Sequence, residues 1–323
     1  MEKQFSVNRS ASKRKWLSVR FGGLRGVDRS PLLKQACVGA DQPARDRFGP
    51  RSASSRAFTL IELMVVIGVI AVLASMLLPV LHKSKQKGQG TLCLNNLRQL
   101  ILGWTMYAHE YDDWLAPNSD GERAGKDRDR PSWVAGWLRT DLESGGKYDS
   151  TNVALLVGKQ YAGTGSIGPY VGEAKIYRCP ADKSRVTIEG ATYNRVRSMS
   201  MNAYMNGNGV WQSPDYVTFQ KLSGIQRPSD MWVLLDERED SINDGYFATD
   251  MTRNYAIVDY PASYHNGSCG FSFADAHSEY RRWQEPTTTP ILKPGEHLPL
   301  GSKYTTWNDR DMAWLTQRTT VHK

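Results

Sequence analysis

The sequence predicts an α+β protein: a long N-terminal helix, half in a membrane, whose distal half packs against an antiparallel β-sheet with long loops. Three observations carry this expectation. Residues 63–81 form a run of 19 residues without a single charge, enough for a helix to cross most of a bilayer core. Beyond it, apolar residues recur at three- and four-residue steps, which marks one helix face. After Pro117 the texture changes to short β-type runs bounded by Gly, Pro, Asn and Asp, as antiparallel strands are.

The first element is a polar leader. Residues 1–57 hold 13 Lys/Arg and 4 Asp/Glu, while the rest of the chain holds 28 and 29. The formal charge of +8 therefore belongs to the leader. That placement fits the bias that keeps Lys and Arg on the cytoplasmic side of a first membrane helix. It argues against a basic groove in the folded domain, so no nucleic-acid partner is expected. The leader has no sustained period and reads as disordered or as a cytoplasmic leader.

The second element is one helix over residues 58–112, with the membrane segment at 58–81 and its amphipathic continuation at 82–112. Leu92, Leu94, Leu97, Leu100, Ile101, Trp104, Tyr107 and Ala108 mark the apolar face, with Asn95, Arg98, Gln99 and Glu110 elsewhere. Pro79 removes a backbone donor and is expected to kink or loosen the helix. Gly88 and Gly90 weaken the join.

Residues 113–285 read as an exported α+β head. Residues 118–150 look like loop. Strands are expected at 175–178, 193–201, 231–235, 255–258, 270–273 and 279–283, the last two paired as a hairpin around 274–277. Residues 286–323 form a tail with one short helix, 309–316.

At the mouth of the apolar run stands Phe58-Thr59-Leu60-Ile61-Glu62-Leu63. This segment resembles the N-terminal motif of type IV pilin-like proteins and type II secretion pseudopilins. The resemblance implies that a prepilin peptidase cuts between Ala57 and Phe58 and N-methylates Phe58. The family usually has Gly before the cut; Ala57 is the nearest substitute in size. It further implies a structural, non-enzymatic subunit that joins other pilin-like subunits. Such a subunit sits in the inner membrane by a single pass, with its C-terminal domain exported. Pro79 falls where the family's helix breaks or melts on assembly. The head resembles a looser group of large secreted-domain pseudopilins from planctomycete and verrucomicrobial bacteria. That likeness rests on Cys93-Leu94-Asn95-Asn96-Leu97-Arg98-Gln99, on Tyr177-Arg178-Cys179-Pro180-Ala181-Asp182, and on His265 and Asp275 with nine residues between. The group closes its hairpin with Asp-Gly; here Ala276 replaces the glycine.

Each candidate site has a competing bland reading. Glu62, a carboxylate at the edge of a membrane helix, is costly unless paired. In a fibre its partner would be a neighbour's N-terminal ammonium, setting axial register; alternatively it rests among headgroups. Asp236, Glu237, Asp240 and Asp244, with Asp250 nearby, offer hard oxygen ligands suited to Ca²⁺, and some pseudopilins bind calcium in distal loops. The spacing is not that of an EF-hand, and a solvated acidic loop competes. No other cofactor is expected.

His265, Asp275 and His277 could orient a general base or bind a metal, but no nucleophile elbow accompanies them; satisfied hairpin polar groups compete. Cys93 and Cys179 can pair to staple helix to sheet, Cys269 can replace either, and buried thiols compete. With no C-x-x-C, a zinc reading has little support from spacing. The many tryptophans fit a core or a polysaccharide surface. Two rival functions follow: an anchored module binding polysaccharide, protein cargo or calcium, and an exported hydrolase.

Overall fold

The long helix α1, Leu60–Glu110, is 51 residues in one piece, about 76 Å at 1.5 Å per residue. In this computed structural model the described residues are 58–140, 146–252, 256–299, 303–304 and 308–323. The leader and Ala57 lie outside them. The helix runs through Pro79, Gly88 and Gly90 without interruption. Its two halves meet different surroundings. Large apolar side chains from Leu60 to Leu81 stay exposed, whereas Cys93, Leu97, Leu100, Ile101, Trp104, Tyr107 and Ala108 are buried. Those positions step by three and four, so they form one stripe. Leu92 departs from expectation and points to solvent, and Cys93 takes its place on the buried face.

The stripe packs on a five-stranded sheet: β1 (Met199–Asn202), β2 (Trp232–Asp236), β3 (Tyr246–Phe247), β4 (Ser268–Phe273) and β5 (Ser278–Arg282). The order is β5-β4-β2-β1-β3. Neighbours are antiparallel except β1 and β3, which run parallel, so the sheet is mixed. The overall class is α+β, as expected. Gly270 of β4 lets the helix come close: a Cβ there would meet Leu97 Cδ1 at 2.8 Å. At Gly103 a Cβ would meet Val171 Cγ2 at 2.6 Å, so the short helix α2, Gly168–Val171, also depends on a missing side chain. On the other face of the sheet, Trp232, Phe271, Phe273 and Trp283 form a second core with Met312 and Leu315. The last two come from α3, Arg310–Gln317, within one residue of the expected tail helix. Asp309 caps it by accepting from the Asp311 and Met312 amides.

Two strand expectations need correction. Residues 175–178 form no strand: Ala174–Tyr177 is a 3-10 turn, capped by the Glu173 side chain, that buries Ile176 and Tyr177. A short apolar run states burial, not period. The run 193–201 is broken in two, Ala191–Asn194 and β1. Between them Arg195 and Arg197 turn inward and donate to the carbonyls of Leu138, Glu239, Met199, Asp244 and Gly136. The 270–283 hairpin is present as β4–β5. Its turn holds Ala276 at φ 72°, a left-handed conformation that favours the glycine missing there.

Removing the Leu97 side chain should destabilise the protein by about 2–5 kcal/mol, because buried Leu→Ala leaves a cavity. Leu102→Ala, on the exposed face of the same helix, should change stability by about 0.5 kcal/mol or less; denaturation in detergent compares the two. Ala276→Gly should stabilise by about 1 kcal/mol by relieving the left-handed strain, read as a rise in Tm.

Candidate functional site

At the start of α1, Phe58 stands two residues before the helix and is 67% exposed. Glu62 lies in the first turn and is exposed, where the positive end of the helix dipole favours a carboxylate. Next come side chains that leave an apolar surface on all sides: Leu63, Ile67, Ile70, Leu73, Leu77 and Leu81 are each more than half exposed. A helix apolar all round in this way suits lipid, not water. Length and composition alone make this the one helix among the described residues able to cross a membrane.

Residues 52–78 match the family model described as the prokaryotic N-terminal methylation motif. The match supports a type IV pilin-like protein with a membrane-anchored N-terminal helix. It spans the leader's end, Ala57, Phe58, Glu62 and most of the apolar run, and leaves the head untouched. No curated protein and no solved structure matches the chain.

The head places its sequence-predicted residues differently from expectation. The acidic stretch is no solvated loop. Asp236, Glu237 and Asp240 are fully buried and Asp244 nearly so, and each carboxylate serves its own donor. Asp236 Oδ1 accepts from Ser198 Oγ at 2.6 Å, and Glu237 Oε1 from Ser241 Oγ at 2.7 Å. Asp240 grips the Arg238 guanidinium by both oxygens. Asp244 accepts from the Gly121 and Tyr246 amides at 2.6 and 2.8 Å. Asp250 accepts from Thr252 and Ala256. These five do not converge on one point, and among the described residues the only gathering of metal-type ligands is elsewhere.

Nor do His265 and Asp275 meet. Asp275 is exposed in the β4–β5 turn, where Oδ1 lies 2.5 Å from His277 Nδ1. His265 instead lies with Nε2 3.1 Å from Cys179 Sγ. The hydrolase pairing of His265 with Asp275 therefore has no geometric basis. The expected Cys93–Cys179 disulfide is not formed: Cys93, Cys179 and Cys269 are all free, buried thiols. Cys179 Sγ is engaged by His265 and by the Ala181 amide at 3.4 Å, and Cys269 Sγ donates to the Asp236 carbonyl at 3.1 Å. Trp104, Trp133 and Trp232 are fully buried, so these three serve the core and not a sugar-binding face.

What the structure does bring together is a set that sequence spacing did not announce. Ligand atoms of Cys93, Cys179, Asp236 and His265 all lie within 4.8 Å of one another. Burial dominates the electrostatics here. It pushes the Asp236 carboxyl well above the usual carboxylate range, helped by the Cys179 thiol, raises the Cys179 thiol, and lowers His265. No local motif could have found the set, because its members are far apart in the chain.

Glu237 is raised as well, chiefly by burial, against the hydrogen bond from Ser241 that lowers it. An acid raised in the folded state holds its proton longer than in the unfolded chain. Its contribution is full below the ordinary value of 4.5 and declines as pH rises through the folded value. Stability should therefore fall as pH climbs from about 4.5 past neutrality, and Glu237→Gln should flatten that slope in denaturation curves across pH.

Proposed function

We propose that this chain is a structural pilin-like subunit of a type II secretion or type IV pilus-like assembly. The observation that carries the reading is the matched methylation motif set directly before an all-round apolar helix. In this reading a prepilin peptidase cleaves Ala57–Phe58 and methylates the new amino group of Phe58. The mature chain then holds the inner membrane by one pass, with residues 113–323 exported. Subunits leave the bilayer by packing their apolar halves together, since 22 residues of lipid-facing helix need another apolar partner outside lipid. The ammonium of one Phe58 meets Glu62 of its neighbour, and the neutralised pair sets the axial step between helices. Pro79, inside α1, is where the helix yields during that packing.

The head's likeness to large secreted-domain pseudopilins belongs to the same reading. Three segments that carry it, around Cys93, Cys179 and His265, are neighbours in space, which gives them a common structural purpose.

Mass spectrometry of the mature chain should find N-methyl-Phe58 at the N-terminus; an uncut leader overturns the reading. Glu62→Ala should leave the protein in the membrane fraction while abolishing its recovery in fibres or with other subunits. Stripping one partner from a buried ion pair costs about 3–5 kcal/mol, ample to prevent assembly. Normal assembly of that variant would remove the register role from Glu62.

A further inference from the structure

We propose that Cys93, Cys179, Asp236 and His265 form a structural zinc site that fastens α1 to the sheet. The four residues come from four places: α1, the turn after the 3-10 segment, the end of β2, and the loop before β4. Their donor set is two sulfurs, one imidazole nitrogen and one carboxylate oxygen. Soft thiolates with imidazole select Zn²⁺ over the hard cations. A tetrahedral zinc with bonds of 2.0–2.3 Å spaces its ligand atoms about 3.3–3.8 Å apart. Ligand atoms within 4.8 Å of one another need an inward adjustment of only about 1 Å. All four corners are protein, which is the closed arrangement of a structural site.

A second observation points into the same space. Asp236 is fully buried, and its Oδ2 makes no hydrogen bond, although its Oδ1 is held by Ser198. A buried carboxylate oxygen without a donor is expensive, and a cation satisfies it. The surroundings are built as those of metal ligands are. Ser198 Oγ accepts from the Cys179 amide at 2.9 Å and donates to Asp236, so one hydroxyl orients two ligands. The Ala181 amide points at Cys179 Sγ, ready to stabilise a thiolate. Gly90 leaves room beside His265: a Cβ there would come within 3.6 Å of Nδ1 and 3.1 Å of Tyr280 Oη. A cleft of about 940 Å³, lined by Gly90, His265 and Tyr280 among others, touches the cluster at His265 alone.

Binding displaces the two thiol protons to solvent, together with any proton on Asp236; His265 binds neutral, through a nitrogen lone pair. Zinc affinity therefore falls as pH is lowered. A metal-bound pair of thiolates is also withheld from oxidation in an exported domain, so the same two cysteines hold either zinc or a disulfide, not both.

The test uses the full chain, expressed with zinc and purified in detergent without reductant. Elemental analysis should find one zinc ion per chain, and peptide mapping should find no Cys93–Cys179 disulfide. Cys93→Ser with Cys179→Ser should abolish zinc, and Ser198→Ala should weaken it about 10–100-fold while the chain stays folded. Asp275→Ala, in the exposed turn, should retain full occupancy. Cobalt added to chelated protein should show thiolate-to-metal charge transfer, a readout that is independent of folding variants. A zinc-free wild-type chain that takes up neither zinc nor cobalt, a Cys93–Cys179 disulfide, or zinc retained in the double cysteine variant overturns the proposal.

Discussion

Everything in this structure is arranged around a single helix that must satisfy two solvents. The first half of α1 has no apolar partner among the described residues and presents Leu, Ile and Val all round. The second half must be polar on one side and apolar on the other, since it lies on the sheet. One continuous helix does both because its hydrogen bonds are internal and indifferent to which face is covered. The head then conforms to the helix. Gly270 and Gly103 remove the side chains that would hold the sheet and α2 away from it, and Leu97, Leu100, Ile101 and Trp104 fill the space between. Each such side chain contributes about 1.5–3 kcal/mol by leaving water, so this seam is a main stabiliser of the head.

How much of this could be read in advance depended on distance along the chain. The three- and four-residue steps after residue 81, the 270–283 hairpin and the tail helix are local patterns, and each appears where its pattern placed it, Leu92 excepted. Apart from the short run 175–178, the failures are long-range. The acidic run 236–244 reads as surface by composition, yet it is buried because partners from other segments meet it: Ser198, and the Gly121 amide more than a hundred residues away. Arg195 and Arg197 fall in the run 193–201 read as one strand, yet they turn inward and satisfy the carbonyls of Glu239, Leu138 and Gly136. Propensity carries no information about such partners.

The two functional regions divide in the same manner. The processing motif is contiguous, so Phe58, Glu62 and the apolar run announce one another. Cys93, Cys179, Asp236 and His265 do not, because metal spacing rules recognise ligands a few residues apart on one loop. Here each ligand sits on a different element, and sequence alone gave them separate roles: disulfide partner, calcium ligand, hairpin histidine. Only the fold makes them neighbours. Ala276 is a contrasting case, in which a single missing glycine was visible in the sequence and the backbone at φ 72° supplies its meaning.

The position of the cluster along α1 follows from mechanics. Cys93 lies 12 residues beyond Leu81 and is the first fully buried apolar side chain of the head seam. Any displacement of the apolar half, in a bilayer or against neighbouring helices, reaches the head there first. Hydrophobic contact resists separation over an area but resists peeling poorly, because a peeling helix breaks one side-chain contact at a time. Directional bonds belong at the leading edge of such a seam. The structure concentrates them there: Tyr280 Oη donates to the Gly90 carbonyl at 2.6 Å, Gln89 reaches the Pro180 carbonyl and Asn96 the Arg178 carbonyl. The Cys93 cluster stands among them. A metal bond at that position would turn a peelable edge into a fixed one, so that strain along the helix is borne by the head as a unit.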